Sequence, residues 1–139
     1  MERTLTIFKP DSVAAGYSGK ILAHLENEGF KVLALKKMTL STEQARAFYE
    51  VHTDRPFYES LVEFMTSGTI MPVALERDDA VPYLRQVMGA TDPQEAGPGT
   101  IRALYGDSIE RNAIHGSDSG ENAEQELLFF FSRSELIGA

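Results

Sequence analysis

The sequence predicts an α+β chain, one domain over residues 1–139 in which helices cover a sheet in the βαββαβ manner. Three observations carry this. Apolar runs rich in β-branched and aromatic residues recur between stretches of helical periodicity. The 139 residues, 42% of them hydrophobic, suit a single buried core. No internal repeat or low-complexity segment divides the chain.

Arg3 to Lys9 alternates Leu5 and Ile7 with Thr4, Thr6 and Phe8 and stops at Pro10, which reads as the first strand. Ser18 can cap a helix whose Ile21, Leu22 and Leu25 recur at helical spacing, with Gly29 where a left-handed C-terminal residue is wanted. Lys31 to Leu40 reads as a second strand. Ser41-Thr42-Glu43-Gln44 fits a capping box, and Ala45, Phe48 and Tyr49 form the apolar stripe of a helix to about His52. Arg55-Pro56 breaks it, and Phe57, Leu61 and Phe64 or Met65 restart the pattern as far as Ser67-Gly68, giving a helical hairpin. In the short apolar run Ile70 to Glu76, Pro72 argues for an edge position or a strand beginning after it. Asp78 or Asp79 can cap a helix through Val81, Leu84 and Met88, with Pro82 tolerable in its first turn. Gly89 to Thr100 is an irregular loop, of the kind that is more often functional than ornamental, and Ile101 to Tyr105 adds a helical turn. Gly120 to Gln125 looks helical. For Leu127 to Phe131, Ala123, Leu127 and Phe130 suit a helix, but five consecutive apolar residues with three aromatics favour a buried strand, which is the expectation.

Thirteen Lys and Arg against 21 Asp and Glu leave a net charge of −8. Such a chain repels phosphate backbones over most of its surface, which argues against nucleic-acid or anionic-membrane binding as its main task. Residues 1–70 carry 8 basic and 9 acidic side chains, residues 71–139 carry 5 and 12. Any site for an anionic ligand must therefore be built from a few converged cations. The absence of cysteine excludes disulfides, thiolate catalysis and Cys-based metal sites. With no apolar stretch of ~18 residues and no signal-like start, the expected location is the cytoplasm.

The familiar phosphate-binding motifs are missing. Gly16-Tyr17-Ser18-Gly19-Lys20-Ile21 has the wrong spacing for a P-loop, and Gly97-Pro98-Gly99 lacks a third glycine and a preceding strand. His115 stands apart from His24 and His52, because small residues give access on one side and hydroxyls and carboxylates offer partners. A neutral imidazole held by a third group can accept a phosphoryl group covalently. Glu126, at the entry to the apolar run, is a carboxylate at the core edge that wants a partner. A packed histidine and a solvated Glu126 fit the composition as well. Lys9 at the end of its strand, and Arg85 and Arg102 flanking the irregular loop, can neutralise phosphates; they also read as a snorkelling Lys and two surface Arg. Phe57, at a helix start, serves as a stacking platform for a base if exposed, and as core if not.

Further stretches join this set: Ile7-Phe-Lys9-Pro-Asp11, Arg55-Pro-Phe57, Met65-Thr-Ser-Gly68, Met88-Gly-Ala-Thr91-Asp-Pro93, Gly99-Thr-Ile-Arg102 and Asn112-Ala-Ile-His115-Gly-Ser-Asp-Ser119. In this order and across nearly the whole chain, they resemble the nucleoside diphosphate kinase family, whose signature is Asn-x-x-His-Gly-Ser-Asp. The resemblance implies a ferredoxin-like fold with a central four-stranded antiparallel sheet. It implies a ping-pong reaction in which the γ-phosphoryl group of a nucleoside triphosphate, typically ATP, passes to His115 and then to a nucleoside diphosphate. Glu126 would orient His115 with help from Ser117, while Lys9 and Tyr49 complete the reacting end. Arg85, Thr91 and Arg102 would hold the phosphates, bridged by Mg²⁺ with no direct protein ligand. Lys9 and Asn112 would reach the ribose hydroxyls, and Phe57 would stack on the base with Ile109 near its other face. The family's closed symmetry implies a homo-oligomer, a hexamer or, since the chain ends soon after Leu136-Ile137, a tetramer. Thr69 and Gly120 depart from the family pattern at a turn and a helix start. The competing class is a non-catalytic nucleotide-binding module, which would have no chemical need for His115.

Overall fold

Strand β1 (Glu2–Phe8) carries Leu5 and Ile7 on one face and Thr4, Thr6 and Phe8 on the other, and all five are fully buried. A strand buried on both faces belongs in the middle of a covered sheet. The structure, a computed structural model that describes residues 1–137, places it there; the last two residues of the expected 1–139 domain lie outside the described residues. Strand β1 pairs antiparallel with β3 (Met71–Arg77) and with β4 (Ile114–Gly116), and β2 (Lys31–Leu35) pairs antiparallel with β3, giving the order β2-β3-β1-β4. This is the four-stranded antiparallel α+β architecture anticipated above.

Helices pack on both faces. Leu5, Ile7 and Ala74 meet α3 (Thr42–Phe48), α4 (Tyr58–Met65), α7 (Gly120–Phe130) and α8 (Arg133–Leu136) through Ala45, Val62, Leu127 and Leu136. Phe8, Val73 and Leu75 meet α2 (Ser18–Asn27), α5 (Ala80–Met88) and α6 (Ile101–Tyr105) through Leu25, Leu84 and Ile101. Each such fully buried aliphatic side chain stabilises the fold by about 1.5–3 kcal/mol relative to exposure. Between β1 and α2 a short helix α1 (Pro10–Ala14) opens with Pro10 in its first turn. The capping box on α3 forms as expected: Gln44 N donates to Ser41 Oγ at 3.1 Å and Ser41 N to Gln44 Oε1 at 2.9 Å.

Four expectations are corrected. Leu127 to Phe131 is not a strand: Leu127 to Phe130 are the last turn of α7, whose Ala123, Leu127 and Phe130 are buried while Leu128 and Phe129 are exposed. Ser119 Oγ caps this helix by accepting from Asn122 N at 3.1 Å, and Ile114 to Gly116 supplies the fourth strand instead. Pro72 lies inside β3, between two neighbours. Its missing N–H faces β2, where Lys36 N still donates to Pro72 O at 3.1 Å; β2 accordingly ends at Leu35 rather than Leu40, with an isolated Met38–Ile70 bridge beyond. Neither Ser18 nor Asp79 caps its helix; Val81 N at the start of α5 donates to Glu2 Oε1 of β1 at 2.7 Å.

Candidate active site

Edge strand β4 aims the central side chain. His115 pairs with Ile7 and so projects on the face of Ile7, toward α3 and α7, while Ile114 and Gly116 turn to the α5 side. A Cβ on Gly116 would stand 2.6 Å from Met88 Sδ, so a larger residue there would push the Met88 side chain aside. Helix α7 returns over this face and brings in Glu126. Glu126 Oε1 lies 2.9 Å from His115 Nε2 and accepts from Ser117 Oγ at 2.7 Å. This contact puts the ring proton on Nε2 and the lone pair on Nδ1, which makes no hydrogen bond among the described residues. Phe48 and Tyr49 of the α3 end pack edge-on against the imidazole, with centroids 5.7 and 6.5 Å away.

His115 and Glu126 line a cleft of about 610 Å³ that also receives Lys9, Tyr49 and Phe57. Arg85, Thr91 and Arg102 complete the sequence-derived residues on its walls. Lys9 Nζ donates to Asn112 Oδ1 at 2.8 Å, and Asn112 Nδ2 to Thr91 O at 3.0 Å, so Asn112 ties the lysine to the loop. Burial, then the nearby Arg102 guanidinium, pulls the Lys9 ammonium down to about 8, against the opposing pull of Asp11 and Glu110. Burial and then Arg85 bring Arg102 to about 10. Its Nη2 donates to Ile114 O at 2.8 Å and its Nη1 to Gly89 O at 3.2 Å. Gly89 sits at φ 87, and a Cβ there would collide with Thr100 Oγ1 at 2.5 Å, so the loop carrying Thr91 depends on it. Three cations thus converge in a net-acidic chain, at a real electrostatic cost, and a polyphosphate is the ligand that would relieve it. Tyr49 Oη is buried without a hydrogen-bond partner among the described residues, and burial, then Glu126, pushes its phenol well up, which keeps it a neutral donor.

Ser117 and Asn112 act from behind the walls, and Phe57, 46% exposed, opens to the cleft beside His52. Ile109 is 62% exposed and is not among the lining residues, so the structure does not bring it to the others. Three features went unread in the sequence. Phe48 had been placed only in an apolar stripe. Asp118 and Asn122, joined at 2.6 Å, line the cleft; Asp118 lay in the His-Gly-Ser-Asp segment and could have been found there. Ala113 sits at φ 77, a conformation that costs a residue with a side chain about 1–3 kcal/mol and that tends to persist at functional sites. Asp11 Oδ2 accepts from Ala113 N at 3.1 Å, and burial raises the Asp11 carboxyl above its ordinary range.

What such a cleft can do is pass a phosphoryl group, and the class of protein is an α+β phosphotransferase. The chain belongs to the nucleoside diphosphate kinase family, whose model, described as nucleoside diphosphate kinase, matches residues 2–136. It is 53% identical to the nucleoside diphosphate kinase of Persephonella marina over 137 residues, 99% of this chain and 98% of that protein. With the Campylobacter fetus enzyme of the same name it shares 54% over 136 residues, 98% of this chain and 99% of the other. The crystal structure of the Aquifex aeolicus nucleoside diphosphate kinase superposes with a TM-score of 0.96 at 46% identity, covering 98% of this chain and 99% of that one. The halophilic Halobacterium salinarum enzyme, solved in complex with CDP, gives 0.94 at 43% identity over 99% of this chain and 92% of its own.

Proposed function

We propose that this chain transfers the γ-phosphoryl group of a nucleoside triphosphate to a nucleoside diphosphate through a phosphohistidine on His115. The observation that carries the reading is the Glu126 Oε1 to His115 Nε2 contact of 2.9 Å, which leaves Nδ1 as the free nucleophile. The Nδ1 lone pair attacks the γ-phosphorus, the bond to the bridging oxygen breaks, and the diphosphate leaves. A second diphosphate then attacks the phosphohistidine through a terminal oxygen, the N–P bond breaks, and a new triphosphate departs. As Nδ1 gives up its pair, positive charge grows on the ring, and the Glu126 carboxylate, itself held by Ser117, balances it.

Lys9, Arg85 and Arg102 would neutralise the phosphates, with Thr91 beside them, while the unpartnered Tyr49 hydroxyl donates near the reacting end. Lys9 and Asn112, already joined, would reach the ribose hydroxyls. Phe57 offers its face to any base, whereas Ile109 would have to approach from outside the present walls. Among the described residues no group of three or more His, Cys, Asp or Glu side chains could hold a metal ion. We place a Mg²⁺ on the nucleotide's own phosphate oxygens, where it would neutralise their charge beside Lys9, Arg85 and Arg102. We further place the protein in the cytoplasm as a homo-oligomer. No helix of the described residues is long and apolar enough to cross a membrane.

Initial rates measured over both substrates test the reaction sequence. Double-reciprocal plots are expected to be parallel, as for a reaction through a covalent intermediate. Intersecting lines would mean direct transfer in a ternary complex and overturn the role of His115.

A further inference from the structure

The turn that leads into His115 is strained and buried. Strand β4 is three residues long and lies at the sheet edge, paired on one side alone. Just before it, Ala113 has φ 77, and Ile114 N donates to Asn112 O at 3.0 Å across it, closing a three-residue γ-turn. Three bonds, from Lys9 after β1 and from Asp11 and Ser12 of α1, grip Ala113. Its carbonyl accepts from Lys9 N at 2.9 Å and from Ser12 Oγ at 2.8 Å, and its amide donates to Asp11 Oδ2 at 3.1 Å. Among the described residues Asp11 is the one partner of the amide. Its other carboxylate oxygen, Oδ1, is buried at the first turn of α1, beside the Asp11 and Ser12 backbone amides, so the side chain is held in place from its own helix.

We propose that Asp11 is a positioning residue for phosphoryl transfer: by holding the Ala113 amide it fixes the γ-turn and with it the place of His115 Nδ1 relative to the incoming phosphorus. It makes no bond to the imidazole and does not line the cleft. The inference rests on the reading of His115 as nucleophile. Asn112 is held separately by Lys9 and Thr91, so nucleotide binding is expected to survive when Asp11 is changed.

The test is single-turnover labelling with terminally labelled ATP at saturating concentration, on the full chain and three variants. The amplitude counts folded, loadable sites, and the rate constant reports alignment. Asp11→Ala is expected to lower the rate constant by about 10- to 100-fold with apparent ATP affinity within about 3-fold, as a small misplacement of a reacting group would. Asp11→Asn still accepts from the Ala113 amide and stays within about 3-fold of the parent. Asp11→Glu keeps the charge but displaces the acceptor by a methylene, so it falls with Ala; it carries the test if Asp11→Ala does not fold. A residue that merely stabilised the fold would change the amplitude alone. An unchanged rate constant in Asp11→Ala or Asp11→Glu, or Asn falling as far as Ala, overturns the proposal. Absence of label on residue 115 of the parent protein, read before any variant, instead refutes the nucleophile itself.

Discussion

Lys9 enters the reaction with an ammonium that burial and Arg102 have weakened to about 8. Its folded value lies below the ordinary one, so the charge is complete only below about pH 6, stands at roughly nine-tenths at pH ~7 and is lost as pH rises through about 8. Free protein then has one cation fewer for the phosphates. We expect kcat/KM, which reports the free enzyme, to fall by up to about 10-fold between pH ~7 and pH ~9, a range that ends before Arg102, at about 10, loses much of its charge. A flat profile over that range would show that Lys9 is not a phosphate or ribose contact. Residue type alone left Lys9, Arg85, Arg102, His115 and Glu126 open to ordinary structural readings, and it was their order among the family's motifs that singled them out. Asp11 stood in a recognised stretch but had no assignable task, since its importance lies in the backbone angle of Ala113, and alanine carries no signal for a positive φ. For Ile109 the resemblance offered a role beside the base, and the residue stands 62% exposed outside the lining of the cleft.

Among the elements, α7 decides whether Glu126 can reach His115; its first part, Gly120 to Gln125, reads as helix from the sequence, while its last turn from Leu127 reads as a strand. Leu128 and Phe129 are apolar yet 57% and 39% exposed, and Phe129 lines the cleft. Apolar residues off the core stripe hide the helical period and imitate a buried strand. Strand β4 escaped notice for a related reason, being three residues long with a histidine at its centre. Register, by contrast, was already implied for β1, whose alternation around Leu5 and Ile7 matches its buried faces. The helical assignment makes a sharp prediction. Leu127→Ala is expected to cost about 2–5 kcal/mol in urea unfolding and Leu128→Ala within about ±0.5 kcal/mol. Similar losses at both positions would contradict the stated packing of α7.

At the scale of the whole molecule, the chain leaves Leu35, Leu104, Leu128 and Ile137 exposed, spread over strand, helix and C-terminal segment. Apolar side chains scattered in this way are ordinary on a surface, and our expectation of a hexamer, with a tetramer as the alternative, rests on the closed symmetry that the family resemblance implies. Light scattering that reports a 15.4 kDa particle at micromolar concentration would rule out both. The fold class and the family were readable because motifs at separate points of the chain had to converge on one cleft, whereas subunit contacts leave no comparable pattern in a single sequence. The central claim is that the phosphoryl group rests on His115 between two nucleotides. Incubation with terminally labelled ATP, followed by peptide mapping, tests it most directly. The account predicts an acid-labile, base-stable label on His115 that chases into an added diphosphate, with neither label nor exchange in a folded His115→Ala variant. Near-parental exchange by that variant, or a label on another residue, would contradict it.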